Sequence, residues 1–204
     1  MADVTEVLAT DRVWLRAVEP ADVPQLWALV HDPLVSQRWR TMGATVSPEE
    51  FRASLWSGVL VQHVAVDRHS GEPVAWLICY DANHRHQHAS FAVVAFPAFR
   101  TTRALRDAIH LFVDYLFATW PLRQILVEVP EFNLSYVAPA LREVADHVGS
   151  IPEYFFTMDR WWSLETFTIR RGSRLGEARD RIGRRKLMVE AGPFQFDIVE
   201  PGDR

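Results

Sequence analysis

Residues 89–117, ASFAVVAFPAFRTTRALRDAIHLFVDYLF, decide how the chain folds. The apolar run Phe91 to Phe96 suits a strand buried on both faces. Pro97 closes it, and a short loop leads into a helix. Leu105, Ala108, Ile109, Phe112 and Leu116 recur at spacings of three and four and form one apolar stripe. Arg103, Arg106, Asp107, His110 and Asp114 lie largely off that stripe. The hydroxyl of Thr101 or Thr102 suits a helix cap. A helix start leaves backbone N–H groups without intrahelical partners. With the helix dipole and two arginines, Arg100 and Arg103, this junction reads as a phosphate site.

Working outward, the 204 residues suffice for one domain with a real core and an appendage. A hydrophobic content of 49% marks a globular, ordered chain. A net charge of −4 argues against a dedicated nucleic-acid binder. Cys79 is the single cysteine, so neither an internal disulfide nor a cysteine-built metal site is expected. No run approaches the ~18 apolar residues of a membrane span. The start, MADVTEVLATDR, lacks a basic-then-apolar signal. A cytoplasmic protein is the expectation.

The remaining elements follow in order. RVWLRAV (12–18) alternates like a strand. A helix over about 21–31 carries Val23, Leu26, Trp27 and Val30 on one face and stops at Asp32-Pro33. Ser47-Pro48-Glu49-Glu50 is a capping box that opens a second helix, which Gly58 ends. Three strands follow as an antiparallel meander, at 60–66, 73–80 and about 86–96. After the helix at 103–118, RQILVEV (123–129) is a strand parallel to the third. A helix is expected from near Ala138 to about His147, and a hairpin over 154–169 around Asp159-Arg160. Residues 170–186 hold eight basic and two acidic residues and read as a solvated segment. Phe194 to Ile198 alternates like a last strand.

This order of elements resembles the GNAT superfamily of acyl-coenzyme A N-acyltransferases, and local sequences resemble its ribosomal-protein N-acetyltransferase-like branch. VWLRAVEPADVPQLWALVHDP is similar to the branch's first strand and helix. GEPVAWLICYD is similar to its third strand, and VEVPEFN, ending at Asn133, to its fifth strand and following asparagine. Asp107-Ala108 and Tyr115-Leu116-Phe117 sit where the branch has Glu-Ala and Tyr-Ala-Phe. The resemblance implies an α/β (α+β) fold with a mixed, mostly antiparallel sheet of six to seven strands and a central strand–helix–strand crossover. It implies a domain over 1–171, followed by a basic extension over 172–204. It departs at the pyrophosphate loop. The family's glycine positions fall on Thr101 and Arg103 and its leading position on Ala98, so the loop is degenerate. Hydroxyls and a guanidinium stand where glycine would let phosphates approach the backbone.

The resemblance further implies acetyl-CoA or another acyl-CoA as cosubstrate and an amine of a small molecule or peptide as acceptor. Val94, Ala95 and Phe96 would hold the pantetheine arm. Arg100, Thr101, Thr102, Arg103 and Ala104 would hold the phosphates, and Asn133 would lie beside the cofactor. Tyr136 is the nearest hydroxyl able to protonate the leaving thiolate, against a reading as a loop tyrosine. For the base, a neutral imidazole at His88 suits proton removal near neutral pH. His84, His86 and His88 share a strand face, which leaves three readings open: base, metal ligand or solvated hairpin end. No metal is expected. Glu128 and Glu131 are weaker bases. Trp27, Arg38, Trp39 and Arg40 are candidates for the acceptor pocket. Trp56 of the second helix belongs to the same group. The arginines suit an anionic group on the acceptor. Trp27 and Trp56 have core packing of amphipathic helices as their alternative reading, and the loop Arg38-Trp39-Arg40 is the better pocket candidate. A non-catalytic binding module, a longer acyl donor, a carrier-protein donor and a homodimer stay open.

Overall fold

Among the described residues, seven strands form a single sheet in the order β1-β2-β3-β4-β5-β7-β6. They are β1 Val13–Ala17, β2 Val59–Asp67, β3 Pro73–Asn83, β4 His88–Ala95, β5 Gln124–Pro130, β6 Asp146–Thr157 and β7 Arg160–Arg170. The helices are α1 Val23–His31, α2 Pro33–Ser36, α3 Pro48–Ser54 and α4 Arg103–Thr119. This computed structural model describes residues 8–172, apart from 41–42, 136, 138–140 and 142–143. The expected extension over 172–204, with its last strand, therefore lies almost entirely outside the described residues, as does Tyr136.

The meander expected at β2–β4 is antiparallel throughout, and β4 pairs β5 parallel. The fold is the mixed, mostly antiparallel α/β architecture the sequence implied. Both faces of the sheet are covered, which is why β3 reads as a continuous apolar run. Phe112, Leu116, Ala108 and Val113 of α4 pack on Leu77, Cys79, Phe91 and Ile125. On the opposite face Leu26, Leu29, Val30 and Phe51 pack on Trp76, Ile78 and Val94. The capping box at Ser47 forms as read: its hydroxyl accepts from the Glu50 N–H at 3.2 Å, and Glu50 accepts from the Ser47 N–H at 2.9 Å.

Four expectations need correction. Asp107 and His110 are buried, not solvent-facing. Asp107 sits against β1, where Arg12 donates to it at 2.8 Å, so its charge is paired on the helix's packed side. The third helix ends at Ser54, so Trp56 falls in a turn and is 54% exposed. The last helix begins by Leu134 rather than near Ala138, and His147 and Gly149 belong to β6. Pro152 and Gly149 disguised that strand; an edge position tolerates both, because one side of its backbone needs no partner. The hairpin turns at Met158-Asp159, both with positive φ (53° and 57°), one residue before the expected turn. At the far end, Arg171 donates to the carbonyls of Phe117, Trp120 and Leu122 at 2.6–2.7 Å, tying the end of β7 to the C-terminus of α4.

His63 of β2 lies beneath α4, edge-on to Phe112 and Tyr115, with Nδ1 buried and unpartnered. Burial pulls its pKa down from 6.5 to about 4. The folded state thus refuses a proton that the unfolded chain accepts. Stability is whole above about pH 6.5 and falls as pH drops from there toward 4, by up to about 3 kcal/mol. Urea denaturation between those pH values measures the slope, and His63→Leu should flatten it.

Candidate active site

The parallel pairing of β4 with β5 lasts only three residue pairs, His88–Gln124, Ala89–Ile125 and Ser90–Leu126. Beyond Ser90 the strands diverge. Phe91–Ala95 stays paired with β3, and Val127–Pro130 stays paired with β7. In a paired strand alternate residues turn their amides to opposite sides. Half of the amides and carbonyls in the diverging part of β4 therefore face the gap. Val94, Ala95 and Phe96 line its β4 wall. Asn133 closes a 3-10 turn, Glu131–Asn133, at the end of its β5 wall.

The start of α4 lies at the mouth of this gap. A 3-10 turn, Pro97–Phe99, follows Phe96. Thr102 is the cap residue: its Oγ1 accepts from the Leu105 N–H at 3.3 Å and donates to the Phe99 carbonyl at 3.0 Å. Thr101 and Arg103 are exposed, and Ala104 is buried against the core. Of the two arginines, Arg103 projects to solvent beside the free N–H groups of the first turn. Arg100 leans the other way, its guanidinium 4.0 Å from the Asp32 carboxylate.

Where the gap opens, Tyr80, Ser90, Glu128 and Arg40 gather on the face that carries α1 and α3. Tyr80 lies directly across from Ser90 in the β3–β4 register, and Ser90 across from Leu126. Glu128, two residues further along β5, shares the face of Leu126 and is exposed. Arg40 stacks its guanidinium 4.0 Å above the Tyr80 ring. Burial raises the Tyr80 pKa, Arg40 opposes that, and the charges of Glu128 and Asp81 add to it. The phenol is therefore held protonated and able to donate. Thr157 of the β6–β7 hairpin donates to Gln37 at 2.9 Å, bridging the hairpin to the segment that follows α2.

The residues chosen from sequence distribute unevenly over this geometry. Trp39 is a correction: at 6% exposure it packs 5.1 Å from the Trp76 ring, inside the core rather than in a pocket. Trp27 is half-buried. Its Nε1 donates to the Val46 carbonyl at 2.9 Å, and its ring lies 4.5 Å from His31. The Val46 N–H in turn donates to His31 Nε2 at 3.3 Å, so this pair braces the loop before α3. Arg38 is partly buried, and Arg40 alone of the four reaches the open face. His88 begins β4, in the closed stretch where the strands are still paired, with its ring 6.4 Å from His86. Among the described residues no three His, Cys, Asp or Glu side chains converge on a metal position. Tyr80 and Ser90 were missed. A tyrosine ending an apolar run looks like core; only the strand register brings it to the opening of the gap.

The sequence from residue 12 to 142, well over half the chain, matches the family model described as Acetyltransferase (GNAT) domain. A search of curated proteins returns no match. Among solved structures, the chain is similar to a spermidine N-acetyltransferase from Vibrio cholerae in complex with CoA and spermine. The TM-score is 0.70 at 20% identity, over 80% of this chain and 98% of that one. A spermidine/spermine N-acetyltransferase from the same organism, in complex with manganese ions, gives a TM-score of 0.66 at 19% identity, over 82% and 98%. At such identities the likeness is one of fold.

The charges around Tyr80 give a direct check. Removing the Glu128 charge in Glu128→Gln should lower the pH at which the Tyr80 phenol ionises, and Arg40→Ala should raise it. Ultraviolet difference titration, with Tyr80→Phe identifying the signal, measures both shifts.

Proposed function

The chain belongs to the GNAT acetyltransferase family, and we propose that it transfers an acetyl group from acetyl-CoA to the amine of a small molecule. The observation that carries the reading is the gap between β4 and β5 with the α4 N-terminus at its mouth. The thioester arm adds itself as a strand-like partner to the free edge of β4 along Phe91–Ala95. Its diphosphate meets the first-turn N–H groups of α4 and the guanidinium of Arg103. Thr102 caps the helix, so Arg103, Thr101 and the backbone carry the load that glycine-lined backbone carries elsewhere in the family. Arg100 would join only by leaving Asp32.

With the arm so held, the thioester carbonyl lies near the opening of the gap, where backbone N–H groups of β4 polarise it. The acceptor amine approaches over the face of Tyr80 and Glu128. Glu128, rather than His88, takes the proton from the attacking nitrogen. It stands on the wall where the strands part, whereas His88 lies in the closed stretch. The nitrogen forms the new bond to the carbonyl carbon, the carbon–sulfur bond breaks, and the thiolate accepts a proton from the neutral Tyr80 phenol. Tyr136, the nearest hydroxyl that the sequence offered for that last role, lies outside the described residues.

The acceptor class follows from charge. Arg40 overhangs Tyr80, and Arg38 lies nearby in sequence. A cation beside the amine disfavours a polycation such as spermidine and favours an amine that also bears a carboxylate or phosphate. The non-catalytic alternative draws on the glycine-free loop. It predicts CoA binding without turnover.

Calorimetry with acetyl-CoA, followed by thiol release across an amine panel, separates these readings. We expect binding and turnover, with anionic amines ahead of polyamines. Absence of binding at millimolar acetyl-CoA would remove the enzyme reading. Arg103→Ala should weaken acetyl-CoA binding about tenfold, the worth of one charge-assisted contact. Glu128→Gln should lower kcat on the order of 100-fold with binding of acetyl-CoA intact, and His88→Ala should leave kcat within about twofold.

A further inference from the structure

Of the two arginines near the start of α4, Arg100 is the one turned away from the mouth of the gap. Its backbone is fixed from both sides. Phe99 packs against the core on the α4 side, and the Thr102 N–H donates to the Phe99 carbonyl at 3.1 Å. Movement is therefore left to the side chain. That side chain runs to Asp32, which stands between α1 and α2. Asp32 is itself anchored, because its carbonyl accepts the N–H groups of Val35 and Ser36, each at 2.8 Å. The two charged groups meet at 4.0 Å, with side chains 35% and 32% exposed. At that separation the contact is an ion pair without a hydrogen bond. The Nη2 of Arg100 is nevertheless buried, and among the described residues nothing accepts its protons. A buried guanidinium N–H without an acceptor is an unfavourable arrangement that a better-placed anion relieves.

We infer that Arg100 is an exchanging clamp: Asp32 and the diphosphate of the cofactor compete for its guanidinium, so Asp32 sets the affinity for coenzyme A. This rests on the acyl-CoA reading of the gap. Three observations carry it. The contact with Asp32 is cheap to give up, because no hydrogen bond breaks and a partly exposed ion pair contributes little. The destination is better. Adjacent phosphate oxygens match the planar fork of a guanidinium and can take two of its donors at once. The path is short. Arg100 precedes Arg103 by three residues, and Arg103 with the first-turn N–H groups already faces the mouth. Rotation of a long side chain about a fixed backbone carries the charge from the α1–α2 corner to the start of α4. A ligand that wins such an exchange must first displace the competitor. Removing the competitor therefore tightens binding, and it does so only while Arg100 is there to be released.

Calorimetry of coenzyme A on the full chain, with the wild type, Asp32→Asn, Arg100→Ala and the double variant, tests this as a cycle. Asp32→Asn keeps the shape of the residue and should tighten binding about threefold, the worth of a weak, partly exposed ion pair. Arg100→Ala should weaken binding about tenfold, the worth of one charge-assisted contact. In the double variant the gain from Asp32→Asn should vanish, leaving the affinity of Arg100→Ala. The KM for acetyl-CoA in a thiol-release assay should follow the same order. Should Arg100→Ala fail to fold, Arg100→Gln completes the cycle. A gain from Asp32→Asn that survives without Arg100 would overturn the inference, because Asp32 would then act by plain repulsion of the anion. Unchanged or weaker binding in Asp32→Asn would overturn it too, by making the pair a structural contact. In both cases the wild type still binds coenzyme A and the acyl-CoA reading stands. A wild type that does not bind removes that reading and the inference with it.

Discussion

Two parallel neighbours that stay hydrogen-bonded for three residue pairs and then part set the terms for everything else in this molecule. β4 keeps β3 and β5 keeps β7, so neither strand is frayed by the divergence. The gap is held open by sheets that are complete on their outer sides. Its unpaired amides and carbonyls must be satisfied by water or by a ligand with matching groups, because a backbone polar group left bare in a closed core costs too much. An extended, amide-bearing arm is the natural occupant, and the helix end at the mouth supplies the positive terminus for its charged head.

The two cores support this in different ways. On the α4 side, aliphatic and aromatic side chains lock the helix to the sheet, with Arg12–Asp107 at one end and Arg171 on the last carbonyls at the other. The N-terminus of α4 is therefore aimed by packing along its whole length. On the other side Trp39, Phe51 and Trp76 form a tight aromatic layer beneath the acceptor face. That layer builds the floor on which Tyr80 and Arg40 stand. In the proposed reaction the chemistry falls to a few groups at the rim, where Glu128 is exposed to water and the Tyr80 phenol is kept neutral by its surroundings.

Most of the fold was legible in the sequence because period and punctuation agreed: the stripe of α4, the Ser47 capping box and the turn at 67–71 formed as read. β3, however, runs on to Asn83 and the next turn takes residues 84–87, so His84 and His86 sit in a turn and not on a strand face with His88. β6 was not legible, since Gly149 and Pro152 are poor strand residues that an edge position forgives. Asp107 and His110 were misread because a helix face that is polar in one dimension can still be packed: both are buried, and Arg12, just before β1, supplies the charge that pairs Asp107. The site was harder. The residues at the mouth of the gap follow from a strand–loop–helix junction and could be named. Trp39 looked like a pocket residue because a loop position says nothing of burial. Tyr80 and Ser90 were invisible, because their meeting depends on the β3–β4 register and on where the β4–β5 pairing stops, and neither is written locally.

Hydrogen–deuterium exchange with and without saturating coenzyme A tests the central claim most directly. Amides of Phe91–Ala95 that face away from β3 should exchange freely in the unliganded protein and slow markedly when ligand is bound, together with the first turn of α4. Saturated binding that leaves both segments unchanged would contradict the account, because the ligand would then be held somewhere other than the gap.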